Sequence, residues 1–231
     1  MPLSYSKAVV TGASSGIGLA IANRLLADGW QVLGLSRQAP AIDHPRFEWR
    51  SVDLSDRALT QAALVETGPI DALVHAAGFM RTAPVGELKL DDGQAMWRLH
   101  VEAATQLVDH LAAKLSEGGR IVVIGSRTMA GAVGRSQYAA TKAALVGLVR
   151  SWAMELAPRR ITVNLIAPGA TDTPMLRDPR RIGTPPVTPP LGRFVKPEEV
   201  AAYSGRGHRP DFADLWWGVI VSYSARYPAC R

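Results

Sequence analysis

Short apolar runs alternate with stretches of helical periodicity along most of the chain. Runs rich in Val, Ile and Leu predict buried strands at residues 8–10, 31–36, 47–52, 70–75, 120–124 and 162–166. Apolar positions spaced three and four apart predict helices at residues 16–27, 55–66, 94–115 and 137–156. This alternation predicts an α/β fold with a doubly wound, mostly parallel, Rossmann-like sheet covered on both faces. A length of 231 residues suits a single domain.

Several polar or small residues directly follow the predicted strands. Ser14, Asp53, Ala77, Ser126 and Pro168 are the clearest examples. In doubly wound sheets, ligands bind outside the carboxyl ends of the strands, where the strand order reverses. We therefore expect these five residues to share one ligand-binding edge.

The first predicted strand runs into a glycine-rich turn that opens the first helix. The turn reads Thr11-Gly12-Ala13-Ser14-Ser15-Gly16-Ile17-Gly18. Glycines let the backbone approach a pyrophosphate closely, and a helix N-terminus offers unpaired N–H groups and the positive end of the helix dipole. Strand, glycine turn and helix in this order predict a nucleotide-binding loop; the alternative is a glycine-rich turn that binds nothing.

Tyr138 and Lys142 are four residues apart in a predicted helix, which places the phenol and the ammonium on one face. A nearby cation favours phenolate, so we expect Lys142 to lower the pKa of Tyr138 and to prepare it for proton transfer. The alternative is an exposed tyrosine and a solvated lysine on a surface helix.

Five motifs in chain order resemble the short-chain dehydrogenase/reductase family over residues 8–202. They are the Thr11–Gly18 loop, His75-Ala76-Ala77-Gly78, Ser126 after the fifth strand, the Tyr138/Lys142 pair, and Asn164-Leu165-Ile166-Ala167-Pro168-Gly169 with the threonines that follow it. The resemblance implies a set of cofactor-binding residues: Gly12, Ser14, Ser15, Gly16, Ile17, Gly18, Ser36, Arg37, Asp53, Leu54, Ala76, Ala77, Gly78, Tyr138, Lys142, Pro168, Gly169, Thr171 and Thr173.

The resemblance also implies a reaction, hydride transfer between a nicotinamide and a carbonyl or secondary alcohol. Ser126 would bind the substrate oxygen, Tyr138 would exchange its proton, and Lys142 would hold the nicotinamide ribose. The interval from Ser126 to Tyr138 is one residue shorter than the common family spacing, and Ser136 is the alternative serine. His100 stands where the family often has an asparagine that supports a bound water, so it either relays protons or only packs. A nucleotide-binding regulator or inactive relative is the alternative to an enzyme.

The end of the second strand bears on cofactor choice. Ser36 and Arg37 occupy the place where an NAD-preferring enzyme has an acidic residue. An arginine binds a 2′-phosphate that a carboxylate would repel, so we expect NADP(H) in preference to NAD(H). The alternative is that Arg37 only faces solvent.

The amino-acid composition argues against several classes of function. The net charge of +6 comes from basic residues that are scattered apart from the pairs Arg159-Arg160 and Arg180-Arg181, which argues for an ordinary surface and against nucleic-acid binding. The single cysteine fits a reducing compartment. No leader-like or membrane-spanning run is present in the sequence, so we expect a cytoplasmic protein without membrane contact, a small-molecule substrate and no metal.

Two regions are predicted to form the walls and the cover of the substrate pocket, and their residues fit many carbonyl compounds. Residues 79–81 and Met129 are predicted to shape the pocket. Residues 174–197 are rich in Pro, Gly and Arg and predict irregular structure, either a mobile lid or a stiff connector.

The sequence departs from the family after residue 202, where a last helix and a seventh strand are expected. Reading the codons of residues 207–219 one nucleotide later turns Trp216-Trp217-Gly218 into a Gly-Gly-containing segment of the family type. We interpret residues 203–231 as an atypical tail produced by a frameshift, with a natural divergent tail as the alternative.

The expected structural result of such a tail is a missing last strand, an open edge on strand six and an exposed patch around Trp216 and Trp217. The resemblance implies homodimers or homotetramers, and this tail argues against that assembly here.

Overall fold

A seven-stranded sheet forms the centre of the protein in a computed structural model that describes residues 6–181, 184–189, 192–204 and 219–221. The strands are β1 Lys7–Thr11, β2 Gln31–Ser36, β3 Phe47–Ser51, β4 Ile70–His75, β5 Leu115–Ile124, β6 Thr162–Ala167 and β7 Val219–Val221. Their spatial order is β3-β2-β1-β4-β5-β6-β7. The first six strands pair in parallel, and the chain crosses over between β3 and β4, so the order reverses beside β1. The predicted doubly wound, Rossmann-like fold is confirmed.

Helices cover both faces of the sheet. They are α1 Gly16–Ala27, α2 Arg57–Leu64, α3 Leu90–Trp97, α4 Ala103–Ala112, α5 Ser136–Leu156 and α6 Pro197–Ser204. Alternate strand residues supply two separate cores: Val9 packs with Leu107 and Leu145 on one face, and Val10 packs with Ile21 on the other. Because both faces are buried in the centre of the sheet, strands such as β1 and β4 are largely apolar, whereas the edge strand β3 is mostly exposed and polar.

The long helix predicted at residues 94–115 differs in the structure. It begins earlier, at Leu90, and a π-helical turn at Arg98–Glu102 separates α3 from α4. Its last residue, Leu115, instead opens β5. A π turn adds a residue without interrupting the apolar pattern, which explains why periodicity alone predicted one continuous helix.

The segment after β6 contains more regular structure than predicted. Pro174–Arg177 forms a 3₁₀ turn. Further along, Val195 bridges to Thr171 in parallel, and its N–H donates to the Ala170 carbonyl at 2.9 Å. These contacts attach the end of the segment to the loop that follows β6.

The tail was predicted incorrectly in one respect. Helix α6 ends at Ser204, close to the expected boundary at residue 202. Strand β6 is not an open edge over residues 165–167, because β7 pairs with it there in antiparallel register. Trp216 and Trp217 lie outside the described residues. Within the described ranges, none of the helices combines the length and apolarity that crossing a bilayer requires.

Candidate functional site

The glycine loop forms a close-packed cradle at the carboxyl end of β1. Gly12 has a φ of +67°, and a Cβ added there would lie 2.9 Å from the Ala77 backbone. A Cβ at Gly18 would lie 2.3 Å from the Gly12 carbonyl oxygen. Real Cβ atoms do not approach backbone so closely, so both positions require glycine. The absence of side chains at these two positions lets the turn pack tightly against the neighbouring backbone, while residues of the same loop line the cleft.

Helix α1 begins in this cradle. Its N-cap residue, Ser15, is extended and makes no side-chain capping hydrogen bond to a described residue. The first N–H groups of a helix need partners from outside the helix, and the dipole makes this end favourable for an anion. Together with the glycine cradle, this arrangement fits the pyrophosphate of a dinucleotide.

Thr11 ties the cradle to the neighbouring strand. Its Oγ1 accepts hydrogen bonds from the N–H groups of Ala76 and Ala77, both at 3.1 Å, and lies 3.0 Å from Nδ1 of His75. Since the hydroxyl already accepts two hydrogen bonds, it donates its proton to Nδ1, which leaves the His75 proton on Nε2. Burial, reinforced by the charge of Lys142, lowers the pKa of His75 to about 3. Thr11 thus holds the backbone of Ala76 and Ala77 against the loop directly, while its own proton is bound by a neutral imidazole.

At the end of β2, the side chains of Ser36 and Arg37 differ in whether they are free to bind a ligand. Ser36 is buried; its hydroxyl donates to the Gln38 carbonyl at 2.7 Å and accepts from Nε1 of Trp49 at 3.1 Å. Arg37 is exposed and lines the cleft. The carboxylate of Asp53 accepts from the Ser55 hydroxyl and N–H at 2.6 and 2.9 Å. These hydrogen bonds, with the Arg37 charge as a smaller contribution, lower the pKa of Asp53 despite partial burial.

Tyr138 lies at the start of α5, buried with Ser126 and Lys142 beside it. The Ser126 hydroxyl hydrogen-bonds Tyr138 and also accepts from the Thr128 N–H at 3.1 Å. The alternative serine, Ser136, is exposed. The Lys142 ammonium donates to the Ile124 carbonyl at 2.8 Å and lies 5.8 Å from the centre of the Tyr138 ring. The exposed-surface alternative for this pair is wrong, since both side chains are about 4% exposed.

The predicted direction of the Tyr138 pKa shift is wrong. Burial raises the pKa of Tyr138, and the opposing effects of the Ser126 hydrogen bond and of the charges on Arg181 and Arg135 do not reverse it. Burial also lowers the pKa of Lys142 to about 7. Desolvation disfavours the charged form of each group, so in this structure it outweighs the expected effect of a lysine cation on the phenol.

His100 lies behind the cleft rather than in its wall. The Phe79 N–H donates to Nε2 at 3.2 Å, so the ring proton is on Nδ1 and is donated to the Thr141 hydroxyl at 2.8 Å. That hydroxyl in turn donates to the Tyr138 carbonyl at 2.8 Å. Both ring nitrogens are thus engaged by protein groups, and burial, followed by the nearby charge of Lys142, lowers the pKa of His100 well below its ordinary value. This geometry favours the packing alternative over proton relay.

One cleft of about 1450 Å³ collects the predicted residues. Every predicted catalytic and cofactor-binding residue except His100 lines it. Residues 79–81 also line it, whereas Met129 is absent from the lining and packs against the core.

Apart from Arg37, which was predicted to line the cleft, seven arginines expected to be scattered over the surface also line it. Eight arginines and only two aspartates line the cleft. Sequence reasoning missed Arg135 and Arg181, whose charges act on Tyr138. The sequence contains only weak indications that these arginines lie near Tyr138. Arg135 precedes Tyr138 by three residues, and Arg181 lies in the segment expected to cover the substrate.

Comparison with known proteins agrees with this geometry. A profile described as short chain dehydrogenase matches residues 6–181. The chain is 33% identical to 2,3-dihydro-2,3-dihydroxybenzoate dehydrogenase of Escherichia coli, covering 87% of this chain and 88% of the relative. It is 31% identical to a 3-oxoacyl-(acyl-carrier-protein) reductase of Thermotoga maritima, covering 87% and 89%. A solved short chain dehydrogenase from Burkholderia cenocepacia in complex with NADP superposes with a TM-score of 0.73, at 33% identity, covering 86% and 88%.

Proposed function

The chain belongs to the short-chain dehydrogenase family and is an oxidoreductase, and we propose that it transfers hydride between NADP(H) and a carbonyl or secondary-alcohol substrate. The observation that carries the proposal is the burial of Tyr138 between Ser126 and Lys142 in the same cleft as the glycine cradle. A site that only sensed a nucleotide would not require this group of side chains.

NADP(H) is the proposed cofactor. Arg37 is exposed in the cleft at the end of β2, and neither the last residue of this strand nor the residue after it is acidic. A guanidinium binds a phosphate through charge-assisted hydrogen bonds, which a 2′-hydroxyl cannot match. The Burkholderia relative was solved in complex with NADP, which supports this choice. Ser36 would contribute little through its side chain, because its hydroxyl already donates to Gln38.

Proton transfer is assigned to Tyr138. When bound, the nicotinamide supplies or accepts the hydride. The raised pKa keeps Tyr138 protonated at neutral pH, so it can donate to the substrate oxygen during reduction. Ser126 orients that oxygen, and the Lys142 ammonium stabilises the phenolate that remains after the proton has left. The same groups return the proton in the direction of alcohol oxidation.

The catalytic unit is proposed to lie within residues 1–202, with residues 203–231 as a separate tail. Every residue that lines the cleft precedes residue 188, which supports this division. The proposed chemistry therefore requires nothing from the tail beyond whatever it contributes to stability.

Tyr138→Phe tests the assignment. The variant keeps the ring and removes only the hydroxyl, so NADPH binding, followed by the change in its fluorescence, should stay within about threefold of wild type. Carbonyl-dependent NADPH oxidation should fall by at least roughly a hundredfold, the lower range for a general acid. Phe79→Tyr is a matched ring-conserving control in the same cleft wall, outside the proposed proton path. Normal turnover by Tyr138→Phe would disprove the mechanism, and NADPH binding without turnover by wild type would favour a nucleotide-binding regulator.

A further inference from the structure

The substrate end of the cleft contains an unusual group of arginines. Arg135 directly precedes α5, and Arg181 lies in the segment after β6; both line the cleft near Tyr138. The Nε atom of each is buried without a hydrogen-bond partner among the described residues. The guanidinium of Arg135 makes no hydrogen bond or ion pair with any part of the chain that the structure describes. Both side chains are only partly exposed, and leaving a buried guanidinium N–H without an acceptor is costly, so these groups point to a ligand.

These two arginines are held close together by their surroundings. The Arg181 guanidinium donates to the Leu176 carbonyl at 3.0 Å and to the Thr184 carbonyl at 3.4 Å. Thr184 packs so closely on Gly134, the neighbour of Arg135, that a Cβ on Gly134 would lie 2.8 Å from the Thr184 methyl group. Burial, followed by the like charge of Arg135, lowers the pKa of Arg181. The fold therefore maintains two repelling cations beside Tyr138.

The neighbouring acids do not neutralise this group. Asp178 accepts from Arg180 at 2.9 Å and from Arg81 at 3.4 Å, and Arg81 is 3.9 Å from Asp92. Those two carboxylates are thus engaged by two other arginines. The charge of Asp178 also acts on Arg181, but this carboxylate is shared with Arg81 and Arg180, so it offsets the positive charge of the group only in part.

From this geometry we propose that the substrate carries an oxyanion, a carboxylate or a phosphate monoester, which Arg135 and Arg181 bind while its carbonyl or alcohol carbon faces Tyr138. The inference rests on the proposed function, whose substrate class it narrows. Guanidinium groups present paired N–H donors in a planar fork that matches both kinds of oxyanion. The relatives described above include one named for a dihydroxybenzoate and one named for a 3-oxoacyl carrier protein, so family membership alone does not decide whether the substrate has a free acid group.

The two arginines serve the substrate rather than the phosphates of the cofactor. Arg135 and Arg181 act on Tyr138, whereas the cradle for a pyrophosphate is formed by Gly12, Gly18 and the start of α1. The assignment therefore requires that loss of Arg135 leave NADPH affinity unchanged.

Calorimetric titration of the full-length protein saturated with NADPH tests the inference without requiring turnover. The probes are benzoate, phenyl phosphate and benzyl alcohol, which share a ring and differ in charge. We expect at least one anion to bind ten times more tightly than benzyl alcohol, and the stronger anion identifies carboxylate or phosphate. Arg135→Gln should weaken that anion roughly ten- to a hundredfold, the range of a charge-assisted hydrogen bond. Arg135→Lys should recover part of the loss.

Arg57→Gln is the matched control, because Arg57 is exposed at the start of α2 and does not line the cleft. The inference is overturned if neither anion binds more tightly than benzyl alcohol, if Arg57→Gln weakens the anion as much as Arg135→Gln does, or if Arg135→Gln weakens NADPH equally. Should Arg135→Gln fail to fold, Arg181→Gln replaces it with the same expected loss. Anion binding without turnover of any ketone would disprove the proposed function alone, and turnover of neutral ketones without anion binding would disprove the inference alone.

Discussion

Replacing Lys142 with methionine should stabilise the protein at neutral pH. Lys142 is buried, and burial lowers its pKa from an ordinary 10.5 to about 7. Between these two pH values the unfolded chain binds the lysine proton and the folded chain does not, so the free energy of unfolding rises with pH. Below pH 7 both states bind it, and folding bears the full penalty of burying the charge. In wild type that penalty should be largest below neutrality and should fade toward pH 10.

The magnitude follows from the pKa difference. At ~1.4 kcal/mol per pKa unit, the full penalty is about 5 kcal/mol, of which about 2.5 kcal/mol disappears between pH 6.5 and pH 9. Lys142→Met removes this penalty but leaves the Ile124 carbonyl without its donor, a loss of about 1–3 kcal/mol. The variant should therefore be more stable than wild type by about 2–4 kcal/mol at pH 6.5 and nearly equal to it at pH 9.

Urea unfolding at pH 6.5, 7.5 and 9 measures this difference. Taking the two proteins at the same pH cancels every other titrating group, so only the contribution of Lys142 remains. His75 and His100 do not interfere, because both already have lowered pKa values and stay neutral throughout this range. A difference between the two proteins that does not change with pH, or a variant less stable than wild type at pH 6.5, would refute the reasoning.

Two further substitutions test the rest of the cleft. Arg37→Gln should weaken NADPH binding roughly tenfold and leave NADH binding unchanged, as measured by fluorescence titration, because only the 2′-phosphate loses a charge-assisted partner; equal losses for both cofactors would contradict the assignment. Thr11→Val keeps the side-chain shape but removes the acceptor of two peptide N–H groups, so unfolding in urea should show a destabilisation of about 2–4 kcal/mol. A change below about 0.5 kcal/mol would show that the Thr11 hydrogen bonds contribute little.

The sheet could be predicted from the sequence because its signal is local. The central parallel strands β1, β2 and β4 are short runs that are buried on both faces, so apolar residues mark them directly, and β2 and β4 match their predicted limits. The π turn after Trp97 could not be predicted, because it keeps the apolar spacing of an ordinary helix. The pairing of β7 with β6 depends on contacts between distant segments, which periodicity does not report.

The positions of the site residues could likewise be predicted, whereas their electrostatics could not. Motif order brought the glycine loop, Ser126, Tyr138 and Lys142 to one edge, where the structure places them. The direction of the Tyr138 pKa shift was wrong, because spacing along a helix says nothing about how completely the phenol is buried. Arg135 and Arg181 were missed for a related reason: their proximity arises from the tertiary packing of Thr184 on Gly134.

The hydrogen-bonded histidine behind the cleft also simplifies kinetic work on this enzyme. With both nitrogens of His100 engaged and the ring neutral, the imidazole cannot contribute an inflection between pH 5 and pH 8, and neither can His75. Among the buried ionisable groups of the described residues, only Lys142 has its midpoint in that interval. For a substrate that does not itself titrate near neutrality, an inflection there in the pH profile of kcat/KM then points to Lys142 rather than to either buried histidine.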